Sequence, residues 1–176
     1  MNNLSNEVSR PLSGIEIKQH IPNCVIITYP DLYKYDSIQE IFDQNRTDCI
    51  IMLYETAPNY GHWTMLMDRP DRITFFDAYN NEPDQQFDFI SDEFKNQNDM
   101  DHGYLLQLLL DSDKEIHYNN HRLQSKSKHI ATCGRHCIIR YKYKNLDDDT
   151  YYDMMDYVAE NTDFSTDEIV TIKTIV

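Results

Sequence analysis

The run Cys49-Ile50-Ile51-Met52-Leu53-Tyr54 admits few placements. Six consecutive apolar or aromatic residues offer no polar side to water, so the segment reads as a buried central strand. A central strand needs neighbours, and the chain supplies them. Cys24–Tyr29 is compact and β-branched, a second strand. After a short loop over 55–60, His62–Asp68 and Arg72–Asp77 read as two strands that turn around Pro70-Asp71. Glu115–Asn119 is a candidate fifth. Register decides what the 62–77 hairpin can do. If it pairs residues whose numbers sum to 141, Thr64 faces Asp77, and His62 lies diagonally on the same face at about 7–8 Å. A loop one residue longer or shorter puts them on opposite faces.

Helices are expected where capping signals meet apolar periodicity. Ser13-Gly14-Ile15-Glu16 opens a helix over 14–20, and Ser37-Ile38-Gln39-Glu40 one reaching about Asn45. Tyr104–Leu110, Cys133 to about Lys144, and Asp149–Asn161 follow, with a short C-terminal helix behind Ser165-Thr166-Asp167-Glu168. Residues 1–12 read as a polar, loose segment, and 78–101 as an acidic loop with a short helix over 88–95. The remainder, 13–176, reads as one α+β domain with a mainly antiparallel sheet packed against the helix that begins at Cys133.

The net charge of −14 and pI near 4.7 argue against nucleic-acid binding by the whole surface. They leave Lys126, Lys128, Arg135, Arg140, Lys142 and Lys144 as a local basic patch. No apolar run approaches the roughly 20 residues of a membrane span. No early basic stretch leads into a long apolar one, so neither membrane association nor secretion is expected. The four cysteines, Cys24, Cys49, Cys133 and Cys137, are sparse and irregular. They suggest a reducing compartment rather than a disulfide framework.

The polar stretch from Leu123 to Thr132 runs into Cys133, and Cys133 opens an apolar run. A thiol becomes an effective nucleophile as the thiolate, from a free pKa of about 8.5. At the first residue of a helix, its sulfur would sit near the positive end of the macrodipole. A nearby imidazole takes the proton and returns it to the leaving amine. A carboxylate fixes the tautomer of the imidazole, and a side-chain amide can donate to the developing oxyanion. His62, Asp77, Gln124 and Cys133 supply these groups.

Plainer readings exist for each. Cys133 could be a core residue, as Cys137 on the same helical face reads to be. Cys133, Cys137, His129 and His136 could bind zinc, but no second Cys/His pair has structural spacing. Asp77 could cap a turn while Asn80 or Asn81 orients the imidazole, and Trp63 could be core packing. No metal or cofactor is expected.

Gly61-His62-Trp63, Asp77, Gln124 and Thr132-Cys133-Gly134, in that order, resemble the adenovirus-type (adenain-like) maturation proteases, within the wider clan of ubiquitin-like-protein proteases. Cys133-Gly134-Arg135-His136 and Pro11-Leu12-Ser13-Gly14 are similar to the versions carried by virophages and Polinton (Maverick) elements. The resemblance runs from about residue 11 to the C-terminus. It implies a papain-like core in circularly rearranged order that cleaves capsid and core precursor proteins during particle maturation. It implies His62 as general base, Asp77 as its orienting acid, Gln124 as oxyanion donor and Cys133 as nucleophile. Trp63 and Gly134 would line the substrate site, with small residues favoured before the cut. The setting implied is the host cytoplasm or nucleus, in a virus factory, and the virion interior. An activating viral peptide comes with the resemblance as a partner; DNA activation sits poorly with the acidic charge. Gln124 and Cys133 are nine positions apart, longer than is usual in the family. Either the loop bulges or another residue supplies the amide. The rival readings are an isopeptidase of the deubiquitinase or deSUMOylase type and an inactive module that binds an extended peptide by β-addition.

Overall fold

The computed structural model describes residues 2–98, 100 and 103–175. The first elements are α1 (Asn2–Val8), α2 (Gly14–His20), β1 (Val25–Thr28), α3 (Ile38–Asn45), β2 (Cys49–Ala57), β3 (Tyr60–Asp68) and β4 (Arg72–Phe76). Then come α4 (Asp92–Gln97), α5 (Tyr104–Leu110), β5 (Glu115–Tyr118), α6 (Cys133–Lys142), α7 (Asp148–Thr162) and α8 (Thr166–Thr174). Two short 3-10 helices lie at Tyr29–Lys34 and Gln85–Phe89. The chain divides into two compact units. The sheet unit holds Asn23–Phe76 and Asn81–Tyr118; the helical unit holds Met1–Pro22, Asp77–Asn80 and Asn119–Val176.

In the sheet unit the strands lie in the order β1-β2-β3-β4-β5. The sheet is mixed: β2, β3 and β4 are antiparallel, while β1 on β2 and β5 on β4 are parallel edges. All six residues Cys49–Tyr54 are buried, as their unbroken apolar run requires. Ile50, Met52 and Tyr54 pack in one core with Ile41 and Phe42 of α3 and Leu105 of α5. Each such side chain contributes about 1.5–3 kcal/mol on burial. Ser37 caps α3 by accepting from the Glu40 amide. Arg46 ends that helix in the left-handed region, at φ 50°.

The β3–β4 pairs Met65–Phe76, Leu66–Phe75, Met67–Thr74 and Asp68–Ile73 all sum to 141. The turn is closed by the Arg69 amide donating to the Arg72 carbonyl at 2.9 Å, and Lys114 ties it to the start of β5 through Asp68 and the Arg69 carbonyl. The loop expected over 55–60 is shorter than the sequence suggests. Strand β2 continues to Ala57 and β3 begins at Tyr60, leaving a turn at Pro58-Asn59. Asn59 takes φ 57°, which asparagine tolerates, and its amide donates to Glu55 Oε1 at 2.8 Å.

In the helical unit, α6 is buried from Cys133 through Arg140. Arg135 donates to Thr174 Oγ1 of α8 at 2.8 Å and to Glu7 Oε2 of α1 at 2.9 Å. Arg140 donates to the Tyr143 and Leu146 carbonyls and to Asp148 Oδ1, and its guanidinium stacks 5.0 Å from the Tyr151 ring centre. The expected basic patch is corrected accordingly: Arg135 and Arg140 are internal anchors of α6, held by acceptors on α1, α7, α8 and the 143–146 turn, with the Nε of each buried and without a hydrogen-bond partner among the described residues. The N-terminal stretch read as loose contains α1, with Val8 and Leu12 buried and the Val8 carbonyl accepting from the Ala131 amide at 2.9 Å. Among the described residues no helix is long and apolar enough to cross a membrane.

Candidate active site

Cys133 is the first residue of α6 and is 5% exposed. The helix's first i to i+4 bond runs from the His136 amide to the Thr132 carbonyl at 2.9 Å, so the amides of Cys133, Gly134 and Arg135 precede it. A threonine at this position usually caps such amides with its hydroxyl, for about 1 kcal/mol. Thr132 does not: its side chain makes no cap bond and donates instead to Asp167 Oδ1.

Asp77 is 1% exposed, directly after the last residue of β4. The Asn119 carboxamide holds it by both backbone groups, accepting from the Asp77 amide at 2.9 Å and donating to its carbonyl at 2.8 Å. The Tyr79 amide donates to Asp77 Oδ1 at 2.7 Å, an Asx-turn that aims the carboxylate. Tyr79 carries a second contact, since Gln124 Nε2 donates to its hydroxyl at 3.1 Å. The Leu123 and Gln124 amides both donate to the Ala78 carbonyl at 2.9 Å. Asp77 and Gln124 are thus brought together through residues 78–79. One of the two Gln124 amide protons goes to Tyr79. Gln124 is 1% exposed, and its Oε1 has no protein partner among the described residues. A buried acceptor left unsatisfied costs about 1–3 kcal/mol.

A carboxylate of the α8 cap spans the nine positions between Gln124 and Cys133. Asp167, in the first turn of α8, accepts from the Ser125 amide at Oδ2 (3.0 Å) and from the Thr132 hydroxyl at Oδ1. His136 Nε2 also contacts Oδ1, at 3.0 Å. Beside it, Thr166 Oγ1 donates to the Leu123 carbonyl. The loop between Ser125 and Thr132 is therefore pinched at its base and bulges outward, with Lys126, Lys128 and His129 exposed. Burial acts to raise the Asp167 carboxyl, but the hydrogen bond and charge of His136, with Thr132 and Ser125, hold it below the ordinary aspartate value.

His62 and Trp63 belong to the sheet unit. Both lie on β3, opposite Tyr54 and Leu53 of β2, and are 5% and 6% exposed. Gly61 precedes them where β2 bulges, and a Cβ there would stand 1.9 Å from the Tyr54 carbonyl oxygen. Only glycine permits the strands to approach so closely beside His62.

The plainer readings resolve unevenly. Asn81 donates one carboxamide N–H to Gln86 Oε1 at 3.1 Å. Cys137 is fully buried in α6 and Gly134 is buried as its second residue. Among the described residues no cluster of three or more His, Cys, Asp or Glu side chains could hold a metal ion. Residues the sequence reading missed are Tyr79, Asn119 and Asp167. Apart from the Asx-turn, the Asn119–His121 bond and the Thr171–Asp167 bond, their partners lie 31 to 45 positions away, out of reach of local sequence patterns.

What the fold and these residues define is an α+β protein with a thiol at a helix start, a carboxamide held by Tyr79 and a buried carboxylate at the end of β4. No protein-family model matches the chain. It is 32% identical over 169 residues to the uncharacterized protein V9 of Sputnik virophage, covering 93% of this chain and 94% of that protein. The chain belongs to the family of that virophage protein. Among solved structures it is similar to the ASFV pS273R protease, at TM-score 0.47 and 12% identity over 96% of this chain and 68% of that one. It is also similar to the SUMO protease Ulp1, at TM-score 0.41 and 14% identity over 94% of this chain and 79% of that one.

Proposed function

We propose that the protein is a cysteine endopeptidase that processes viral capsid or core precursor proteins during particle maturation. Cys133 is the nucleophile, His62 the general base, Asp77 its orienting acid and Gln124 the oxyanion donor. The observation that carries the reading is in the helical unit: Cys133 opens a helix not capped by Thr132, and the Gln124 carboxamide is fixed by Tyr79. In the proposed reaction the Cys133 sulfur attacks the scissile carbonyl, and a C–S bond forms as the carbonyl oxygen takes up the charge. The second Gln124 N–H and the Cys133 amide stabilise that oxyanion. His62 protonates the amine as the C–N bond breaks, and water, activated by His62, then hydrolyses the thioester.

Trp63 and Gly134 are proposed to line the substrate site, and the reaction is placed in the infected cell and the virion. Membership of a virophage protein family supports that setting. A viral peptide remains a proposed activator. The test is co-expression with a capsid precursor, wild type against Cys133→Ala, read by intact mass. Cleavage by the wild type alone supports the reading. Release of a fluorogenic ubiquitin or SUMO substrate with the precursor left whole would favour the isopeptidase instead. Gln124→Ala should lose roughly 10²–10³ in rate.

A further inference from the structure

We propose that Asp167 is a positioning residue that sets the oxyanion-stabilising groups, a role that rests on the protease reading. Its two carboxylate oxygens hold the two ends of one loop. Oδ2 takes the amide of Ser125, next to Gln124; Oδ1 takes the hydroxyl of Thr132, next to Cys133. The carboxamide donor and the nucleophile's own amide stand at the two ends of a loop that is exposed at Lys126, Lys128 and His129. The brace is itself braced: Asp167 is 2% exposed, bonded to His136 from α6, and its carbonyl accepts from Thr171 Oγ1 at 2.7 Å. With Thr166 holding the Leu123 carbonyl, both flanks of Gln124 are tied to the first turn of α8. The Thr132 hydroxyl goes to Asp167, and its backbone, at φ −102° and ψ 5°, leaves α6 without a side-chain cap.

Two probes of one thiol separate positioning from general disruption. Acylation by p-nitrophenyl acetate forms a thioester as the ester C–O bond breaks and p-nitrophenolate leaves. It passes through an oxyanion. Alkylation by iodoacetamide displaces iodide at carbon and has no oxyanion. Burst rates and Cys133 alkylation rates are to be measured in wild type, Asp167→Asn, Gln124→Ala and the double variant. Asp167→Asn is expected to slow the burst at least tenfold while alkylation stays within about threefold. In the Gln124→Ala background it should add little, since both losses act on one donor. Parallel loss of alkylation, or a loss that multiplies fully with Gln124→Ala, overturns the positioning role. A wild type with neither a burst nor selective alkylation of Cys133 overturns the protease reading and the role with it. Thr132→Val, which removes only the hydroxyl held by Asp167, carries the same expectations if Asp167→Asn does not fold.

Discussion

Gly61→Ala makes a direct test of how β3 presents His62. The added Cβ would lie 1.9 Å from the Tyr54 carbonyl oxygen, 2.7 Å from its carbon and 2.8 Å from Glu55 Cα. All three are backbone atoms, so no rotamer can relieve the clash. Ordinary contact begins near 3.4 Å, so the strands must part by about 1.5 Å at this point. That separation strains the Tyr54–His62 and Glu55–Gly61 pairs. Overpacking of this kind costs about 1–3 kcal/mol, and each ladder bond lost adds about 1 kcal/mol. The expected total is about 2–4 kcal/mol, read as a lower urea midpoint at unchanged slope. A displacement of about 1 Å at His62 should also cost about 10² in turnover under the proposed chemistry. Gly103→Ala is the control, because its Cβ would meet only the Asp84 carboxylate, at 3.2 Å, and a side chain can give way. A Gly61→Ala protein as stable as Gly103→Ala would refute the close approach.

Asn119→Ala removes the two bonds that hold the Asp77 backbone and should cost about 2–3 kcal/mol by denaturant unfolding. Glu7→Ala leaves the Arg135 guanidinium buried without its carboxylate and should cost about 3 kcal/mol by the same assay, more than Arg10→Ala at the exposed end of that cluster. Ser13 and Arg10 hydrogen bonds outweigh burial and lower the Glu16 carboxyl to about 2, and Asp167 is lowered too. Groups depressed on folding contribute stability that is complete above their unfolded values and lost as pH falls through their folded ones. Unfolding midpoints should therefore hold near pH 6 and decline from about pH 4.5 towards 2, with a smaller decline in Glu16→Gln.

Much of this architecture was legible because it rests on local chemistry. The CIIMLY run reads as a buried strand and is one; the Pro70-Asp71 turn was legible, but the sequence left its loop length open, and the register of 141 comes from the structure. Ser13 and Ser165 form complete capping boxes with Glu16 and Glu168. Glu40 breaks that pattern by accepting from Asp36 instead of Ser37, a difference no spacing rule distinguishes. Pro58 looked like a loop, yet Asn59 in the left-handed region needs only a tight turn. Arg135 and Arg140 read as surface charge because arginine usually is; their burial depends on acceptors contributed by α1, α7 and α8. Asp167 read as part of a cap, since a sequence does not display an amide 42 positions upstream. Of the expected site, Asp77 and Gln124 meet through Tyr79, and Cys133 holds the helix start assigned to it.

The central claim is that Cys133 is an activated thiol served by His62. Cys133 and Cys24 are 5% and 3% exposed, so exposure alone predicts similar reactivity. Iodoacetamide labelling of the native protein at neutral pH, followed by peptide mass spectrometry, separates them. Cys133 should be modified at least tenfold faster than Cys24, and His62→Ala should remove that advantage. Equal rates in the wild type, or an advantage untouched by His62→Ala, would contradict the account.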